Sequence, residues 1–219
     1  MTAAAKTAAG PRDWAAETES RILDEALTLC VHMGWTRPMT LAAGRRCGLS
    51  TGETDLLLPH GPRDLAALLS RRHDAVALAA LPAPEGLKIR QRIRSAVEAR
   101  LEAAAADREA LRRWAGYLSL PLNLPLALRL VWESADKLWR WAGDTATDEN
   151  HYSKRAILSA ILISTTAIDM ASGREAALAY LDARIQNVMD FEKWKAGLSA
   201  VDLAREVAGA LASIRYGRE

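Results

Sequence analysis

The sequence predicts an all-α fold. Alanine and leucine dominate the 219 residues and runs of β-branched residues are scarce, so helical periodicity prevails nearly everywhere. Hydrophobic residues make up 50% of the chain and charged residues 26%, a composition that excludes a disordered chain and favours a soluble globular protein. The length suits one domain with a sizeable core, or a small head joined to a medium-sized body.

Charge and cysteine content exclude several classes of protein. The formal net charge is +2, so no strong overall field attracts nucleic acid or anionic lipid, and any polyanion site has to be a local patch. The two cysteines, Cys30 and Cys47, lack metal-ligand spacing and indicate neither a zinc site nor a disulfide scaffold. A reducing compartment fits this usage.

Turn signals divide the chain into four segments. The residues Pro82, Pro84 and Gly86 interrupt the helical pattern and predict the boundary between head and body. The segments are a tail at 1–17, a head at 18–81, a helical body at 87–196 and a C-terminal amphipathic helix at 199–216. No secretory signal is recognised at the N-terminus, and the polar residues within 156–171 argue against a transmembrane helix.

The head has the punctuation of a helix-turn-helix. The first predicted helix runs from Thr18 to Met33. The second starts near Thr40, whose hydroxyl is expected to cap it, and ends at Gly48. A third starts at Ser50 or Thr51, and a fourth runs from Pro62 to Ala80. That motif usually binds DNA. However, no Lys or Arg lies between Arg46 and Arg63, and the segment carries Glu53 and Asp55, which repel phosphates. We therefore expect a structural helix trio that does not bind DNA.

After the head, the sequence predicts five further helical segments with breaks between them. The first is a long amphipathic helix over Leu87–Tyr117, with a break near Asp107, and a proline-containing break at 118–125 follows it. The second helix runs from Pro125 or Leu126 to Trp141 and is followed by an acidic loop at 143–150. The remaining helices are predicted at Tyr152–Met170, from Arg174 to about Trp194, and at Ser199–Tyr216. The Tyr152–Met170 segment is apolar nearly all round, which predicts a place at the centre of the bundle.

The body is richer in aliphatic residues than a tight helix seam requires. Leucines recur from Leu118 to Leu130, and isoleucines and a leucine follow in the Tyr152–Met170 segment. Core packing explains this pattern. The alternative is an apolar cavity between helices that holds a lipid.

Tryptophan is the unusual aromatic residue, with seven in a chain that is only 5% aromatic. Trp132 and Trp139 share one face of their helix, whereas Trp141 points elsewhere. One Trp face is expected to pack in the body. The alternative is that Trp139 or Trp141 forms an exposed aromatic anchor for a protein partner.

Catalytic chemistry is not indicated. The histidines are scattered, and neither a nucleophile elbow nor a phosphate-binding glycine loop is present. The residues Asp144, Asp148, Glu149 and His151 are more typical of a solvated acidic loop than of a cation site. We assign no catalytic or metal-binding residue and expect no cofactor.

Two sets of sequence stretches resemble known families. Leu41-Ala-Ala-Gly-Arg-Arg-Cys-Gly-Leu-Ser50 with Leu57-Leu-Pro-His-Gly-Pro-Arg-Asp-Leu65 resembles the head of TetR regulators. Leu118-Ser-Leu-Pro-Leu-Asn-Leu-Pro125, Trp139-Arg-Trp-Ala-Gly-Asp-Thr-Ala-Thr-Asp148 and Asn150-His-Tyr-Ser-Lys-Arg-Ala-Ile-Leu158 resemble the lipid-binding accessory proteins of ubiquinone biosynthesis that stand ninth in the coenzyme Q series.

That resemblance implies a TetR-like fold without DNA binding, an isoprenoid or phospholipid ligand, and no catalysis. It implies partners: the di-iron demethoxyubiquinone hydroxylase, an isoprenoid quinone lipid, the membrane surface and a second copy in a homodimer. The expected lipid-binding residues are Leu101, Leu118, Leu122, Leu124, Leu128, Trp132, Ile157, Ile161, Leu162 and Ile168. The expected partner-binding residues are Asp136, Trp139, Trp141, Gly143, Asp144, Asp148 and Tyr152.

The same resemblance implies that the C-terminal helix contacts the membrane through Val201, Val207, Leu211 and Ile214. No mitochondrial leader is recognised, which predicts a bacterial protein at the inner face of the cytoplasmic membrane. The alternative function is a ligand-responsive transcription regulator of the TetR type, in which the cavity would control the spacing of two heads on DNA.

Overall fold

The computed structural model describes residues 11–145 and 149–190, with side chains for 14–145 and 151–190. Every regular element in these ranges is helical and no strand is present, which confirms the all-α prediction and is consistent with a TetR-like fold. The helices are α1 (Pro11–Met33), α2 (Arg37–Arg46), α3 (Thr51–Leu57), α4 (Pro62–Ala80), α5 (Ile89–Ala105), α6 (Arg108–Leu118), α7 (Leu124–Trp141), α8 (Glu149–Ser172) and α9 (174–190), with a short 3₁₀ helix at Pro121–Asn123.

The start of α2 differs from the prediction. The capping residue is Thr36, whose Oγ1 accepts a hydrogen bond from the Met39 amide at 3.3 Å, whereas the Thr40 hydroxyl donates to the Thr36 carbonyl. The helix begins one turn earlier than expected because Pro38 fits the first helical turn, where an N–H group is not needed.

The turn into α3 follows the prediction. Ser50 and Glu53 form a reciprocal capping box, in which the Ser50 amide donates to the Glu53 carboxylate at 2.8 Å. Helices α2 and α3 pack closely at Gly44, which has no side chain; a side chain there would collide with Thr54. That these helices act as a helix-turn-helix stays a prediction.

The breaks in the body lie where the sequence places them. Helices α5 and α6 are separated at Asp107, which precedes the first residue of α6. Pro121 follows the end of α6 and lies in the first turn of the 3₁₀ helix, and Pro125 lies in the first turn of α7. The resulting Leu-rich connection carries much of the exposed apolar surface.

The hydrophobic core has two parts. The first joins α1, α2 and α4 to α6 and α7, with Ile22, Leu65 and Leu126 fully or almost fully buried. The second joins α5, α7, α8 and α9, with Leu138 and Leu181 both inaccessible to solvent. Helix α7 contributes to both parts and therefore connects the head to the body.

Helix α8 does not occupy the centre of the bundle, so that prediction was wrong. It packs on α7 and α5, and its outer face leaves Tyr152, Ile157 and Ile163 exposed. By length and composition its segment His151–Ser172 is suited to crossing a membrane, although a third of the qualifying stretch is buried. Arg155 and Asp169 form ion pairs with residues outside α8, so in this fold it packs as a helix of the bundle.

Candidate functional site

An apolar cavity of about 400 Å³ lies between α6, α7 and α8. We call it the leucine cavity. Its walls include Leu111, Trp114, Leu118, Leu128, Val131 and Leu162. The volume falls in the range of ordinary small-molecule sites, ~300–1,000 Å³. Such walls suit an apolar group.

Polar side chains line one part of the leucine cavity: Ser70, Arg100 and Ser134. Buried Asp74 orients two of them, because its Oδ1 accepts hydrogen bonds from Ser134 Oγ at 2.7 Å and Arg100 Nε at 2.8 Å. Lys137 Nζ approaches the other carboxylate oxygen at 2.9 Å. Two helices, α5 and α7, thus supply donors to one carboxylate on α4, and the cavity has a polar lining suited to the head of an amphiphilic ligand.

His73 lies next to Asp74 in the chain and is almost completely buried. Burial lowers the pKa of His73 to about 4, assisted by the nearby Arg100 cation and opposed by Asp107. The neutral ring therefore prevails at neutral pH. Its Nε2 lies 3.0 Å from Asp107 Oδ2, whereas its buried Nδ1 has no hydrogen-bond partner among the described residues.

The structure separates the predicted lipid-binding residues into several groups. Leu118, Leu124, Leu128 and Leu162 line the leucine cavity. Ile157 and Ile161 line a different groove, of about 250 Å³, between α5, α8 and α9. Leu101 is buried in the core, and Ile168 packs against the same core. Trp132 lies against Tyr152, and Leu122 is 81% exposed.

The predicted partner-binding residues that the structure describes lie where α7 meets α8. Their organising residue is Arg155, which is buried and was not predicted from the sequence. Its Nε donates to Asp136 Oδ1 at 2.7 Å and its Nη1 donates to Asp144 Oδ2 at 2.9 Å. Asp136 also accepts from Arg140, and Asp144 accepts from Lys154. The carboxylates of Asp136 and Asp144 are therefore both bound within the chain.

These ion pairs control the charge of the carboxylates. Burial raises the pKa of Asp136, but hydrogen bonds from Arg155 and Arg140 outweigh it and hold the pKa below its ordinary value. Burial also raises the pKa of Asp144, but hydrogen bonds from Lys154 and Arg155 outweigh this effect, so that the pKa of Asp144 is lowered too. Both groups remain ionised, and the cluster fixes the approach of α8 to α7.

Trp139 and Trp141 do not form the exposed aromatic anchor that was the alternative interpretation of the sequence. Trp139 and Trp141 are both half-buried against the second core. Trp139 Nε1 donates to the Lys154 carbonyl at 3.0 Å, and the Lys154 ammonium lies 5.5 Å from the centre of the Trp139 ring. Neither side chain is a free surface anchor, because the α8 backbone covers one and the core packs against the other.

Tyr152 is the exposed aromatic residue of this junction. It is 64% exposed, and its ring centre lies 6.3 Å from that of Trp132. Gly143 has a φ of +89°, which permits the turn after α7, and Arg92 donates to the adjacent Ala142 carbonyl at 2.7 Å. Asp148 and the C-terminal Val201, Val207, Leu211 and Ile214 lie outside the described residues.

Comparison with known proteins shows which family this chain resembles. The COQ9 family model matches residues 124–192. The rat and human proteins named "Ubiquinone biosynthesis protein COQ9, mitochondrial" are each 30% identical to this chain over 185 residues. The matched region is 80% of this chain in both cases, and it is 59% of the rat protein and 58% of the human protein. The Xenopus tropicalis protein is 28% identical over 79% of this chain and 58% of its own length. Residues 124–192 match a COQ9 domain, and the chain is similar to COQ9 proteins over four fifths of its length.

The COQ9 region contains α7, α8 and α9 and therefore both the Arg155 cluster and two walls of the leucine cavity. The chain spans a little under three fifths of the length of these COQ9 relatives. Residues 18–81, the predicted head, lie outside the region matched by the COQ9 model.

The α3 surface of the head has its acidic groups engaged. Asp55 forms an ion pair with Arg37 at 2.8 Å, and Glu53 is held by Ser50. Hydrogen bonds from Ser50 lower the pKa of Glu53, so a carboxylate persists on the face that a recognition helix would present.

Among the residues that the structure describes, no cluster of three or more His, Cys, Asp and Glu residues has the arrangement of a metal site. The proposed acidic loop lies partly beyond those residues, since 146–148 and the side chain of Glu149 are not described.

Sequence reasoning missed Arg155 and Asp74. A usable signal existed for Arg155, because Lys154-Arg155 is a basic pair within an apolar helix and such charges require acidic partners. For Asp74 the surrounding α4 sequence is alternately charged and apolar, and only the packing of α5 and α7 reveals that this carboxylate is buried.

Proposed function

We propose that this protein is a non-enzymatic lipid-binding accessory protein of ubiquinone biosynthesis, which presents a polyprenyl quinone precursor to the di-iron demethoxyubiquinone hydroxylase. The single observation that carries the lipid-binding part is the leucine cavity, whose apolar walls meet the polar Ser70, Arg100 and Ser134. This arrangement matches an isoprenoid tail attached to a polar ring. Similarity to COQ9 proteins, which are named as ubiquinone biosynthesis proteins, supports the pathway.

The junction of α7 and α8 is the surface we assign to the hydroxylase. The Arg155 cluster holds this region rigid, and Tyr152 projects from it into solvent. Rigid, exposed aromatic side chains supply much of the binding energy in protein interfaces. We propose a homodimer as well, with the exposed apolar face of α8 as the supporting observation.

The proposed location is the inner face of a bacterial cytoplasmic membrane, where polyprenyl precursors reside. The COQ9 relatives are named as mitochondrial proteins. A membrane-bound precursor requires a carrier that shields its tail from water, and the leucine cavity fits that requirement.

Native mass spectrometry with lipid extraction tests the cavity. We expect an isoprenoid or phospholipid to accompany the purified protein. Ala127→Trp places an indole in the leucine cavity and should remove this lipid, whereas Ala79→Trp, on an exposed part of α4, should retain it. Equal loading of both variants, or none in the wild type, would contradict lipid binding.

Partner binding is tested separately with the purified hydroxylase. Tyr152→Ala should weaken the complex by ~2 kcal/mol, since exposed aromatic anchors contribute on this scale. The matched control is Trp14→Ala, which removes a 52% exposed aromatic side chain from α1. If both substitutions weaken the complex equally, the surface is assigned wrongly.

A further inference from the structure

A second cleft, of about 580 Å³, lies between the α3–α4 region and the start of α7. Its walls carry three arginines, Arg63 and Arg71 on α4 and Arg129 on α7, and we call it the arginine cleft. No residue that lines it also lines the leucine cavity. The arginine cleft is therefore a separate site, which the proposed function does not use.

The guanidinium groups of the arginine cleft are not held by the protein. The side chains of Arg63, Arg71 and Arg129 make no hydrogen bond within the part of the chain that the structure describes. The Arg71 and Arg129 side chains are 54% and 61% exposed. Each guanidinium carries five N–H donors in a fixed planar fork. These donors are therefore available to a ligand that enters the cleft.

Two of these arginines converge on one carboxylate. Arg71 Nε lies 3.8 Å from Glu133 Oε2, and Arg129 Nε lies 3.6 Å from Glu133 Oε1. Both distances are longer than a hydrogen bond, so each oxygen attracts a guanidinium but is not bonded to it. Exposed ion pairs of this kind contribute little to stability. Cations from α4 and α7 are thus close enough to share one small anion, and only a weakly held carboxylate lies between them.

The arginine cleft also contains negative charge. Glu19 on α1 and Asp64 on α4 line it, so three arginines stand against two carboxylates. Asp64 accepts a hydrogen bond from the His60 amide at 2.6 Å, and burial raises the pKa of Glu19, with Asp64 adding to the effect and Arg71 opposing it. A ligand with a single negative charge would gain little over Glu133. The cleft therefore favours an anion with more charge than a carboxylate.

We propose that the arginine cleft binds a soluble organic phosphate monoester, whose phosphate takes the place of the Glu133 carboxylate between Arg71 and Arg129, with Arg63 as a further donor. Such a phosphate carries close to two negative charges and three acceptor oxygens, and its geometry matches the guanidinium fork.

The volume of the arginine cleft leaves room for the rest of such a ligand. The cleft is much larger than a phosphate group, and Leu57, Leu68 and Pro125 are among the apolar residues of its walls. These walls suit an apolar or flat group on the ester oxygen. The proposal does not rest on the proposed function, because the two sites share no lining residue.

Titration calorimetry of the full chain with 1-naphthyl phosphate tests this proposal. We expect saturable binding that weakens as the salt concentration rises. Inorganic phosphate should bind more weakly, because it leaves the apolar walls unused. No saturable binding of 1-naphthyl phosphate at millimolar concentration would overturn the proposal.

A lipid headgroup is the other source of phosphate chemistry. Dihexanoyl phosphatidylglycerol, used below its micelle concentration, is a phosphodiester with one negative charge and should compete only weakly with 1-naphthyl phosphate. Binding as tight as that of the monoester would overturn the proposal in favour of a headgroup site.

Arg71→Gln combined with Arg129→Gln should weaken binding of 1-naphthyl phosphate at least about tenfold, because charged hydrogen bonds to the phosphate are lost. The matched control is Arg113→Gln on α6. Arg113 is 50% exposed and likewise has one long contact, 3.8 Å to Glu109, so this variant should bind like the wild type. An equal loss in both variants would show a general effect of charge and overturn the site.

Glu133→Gln should have the opposite effect. It removes the carboxylate that competes with the phosphate, so binding should tighten about threefold, the scale of an exposed charge pair. Unchanged or weaker binding would overturn the displacement of Glu133.

Two further measurements separate this site from the leucine cavity. Ile163→Asp, in the cavity wall, should leave binding of 1-naphthyl phosphate unchanged, and a loss there would overturn the assignment to the arginine cleft. The Arg71→Gln, Arg129→Gln variant should retain the lipid that accompanies the wild type. Phosphate binding by a protein that carries no lipid would therefore sustain this site while defeating the proposed function.

Discussion

Arg155 and Asp144 form a buried ion pair between α8 and the turn after α7. The Nη1 and Oδ2 atoms lie 2.9 Å apart, and the two side chains are only 2% and 4% exposed. Arg155 simultaneously binds Asp136 on α7 at 2.7 Å. Because such charges are costly to leave unpaired, this cluster specifies how the two helices meet.

Arg155→Met should therefore lower the free energy of unfolding by ~3 kcal/mol, since it leaves two carboxylates short of a buried partner. Urea denaturation measures this. The matched control is Arg140→Met, which also removes a partner of Asp136 but from a side chain that is 69% exposed. That control should change stability by less than about 1 kcal/mol. Equal losses would show that burial of Arg155 does not matter.

Trp139→Ala should destabilise the protein as well as affect any partner, because its ring packs on the second core and its indole N–H binds Lys154. We expect a loss of ~2 kcal/mol for this half-buried side chain. Trp139→Phe retains most of the packing and should cost ~1 kcal/mol for the lost hydrogen bond. Thermal unfolding measures both. A melting temperature for Trp139→Ala equal to that of Trp14→Ala would restore the exposed-anchor interpretation.

Acid should weaken the fold through His73 before the carboxylates titrate. Its pKa is lowered to about 4 in the folded state from an ordinary value of 6.5, so between these values only the unfolded chain takes up the proton. Stability falls as the pH decreases through that window, by up to ~3 kcal/mol. Asp136 and Asp144, whose pKa values are lowered, lose their contribution only at more acidic pH.

Urea denaturation at several pH values measures this decline, and His73→Gln should flatten it between about pH 4 and pH 6.5. The substitution removes the titrating ring while keeping a hydrogen-bond donor for Asp107. An unchanged pH dependence in the variant would show that His73 is not responsible.

Two neighbouring isoleucines on α8 should respond differently to the same change. Ile161 is 7% exposed within the second core, so Ile161→Asp should cost ~4 kcal/mol or prevent folding. Ile163 is 53% exposed and lines the leucine cavity, so Ile163→Asp should leave a folded protein that carries less lipid. Circular dichroism and lipid extraction measure the two effects. A folded, lipid-loaded Ile161→Asp variant would contradict this division.

Local signals predicted most helix boundaries. Pro62 predicted α4 at its observed bounds, and the start of α3 was correctly placed at Ser50 or Thr51, although the capping box of Ser50 and Glu53 was not recognised. Proline at 38 was overlooked, and α2 was consequently placed too late. The candidate site was predicted less completely, because Leu118, Leu128 and Leu162 do share a cavity whereas Leu101 and Ile161 belong to the core.

The amino-acid sequence by itself determined the all-α class, the order of the helices and the resemblance to COQ9 proteins, because helix periodicity, caps, proline breaks and motifs act over a few residues. Only the tertiary structure decided which apolar faces are covered. Helix α8 is apolar nearly all round, yet α7 and α5 cover only part of it, and its exposed side is left for other contacts. The same packing buried Arg155 and Asp74, since a charge is buried only where helices distant in sequence bring it a partner.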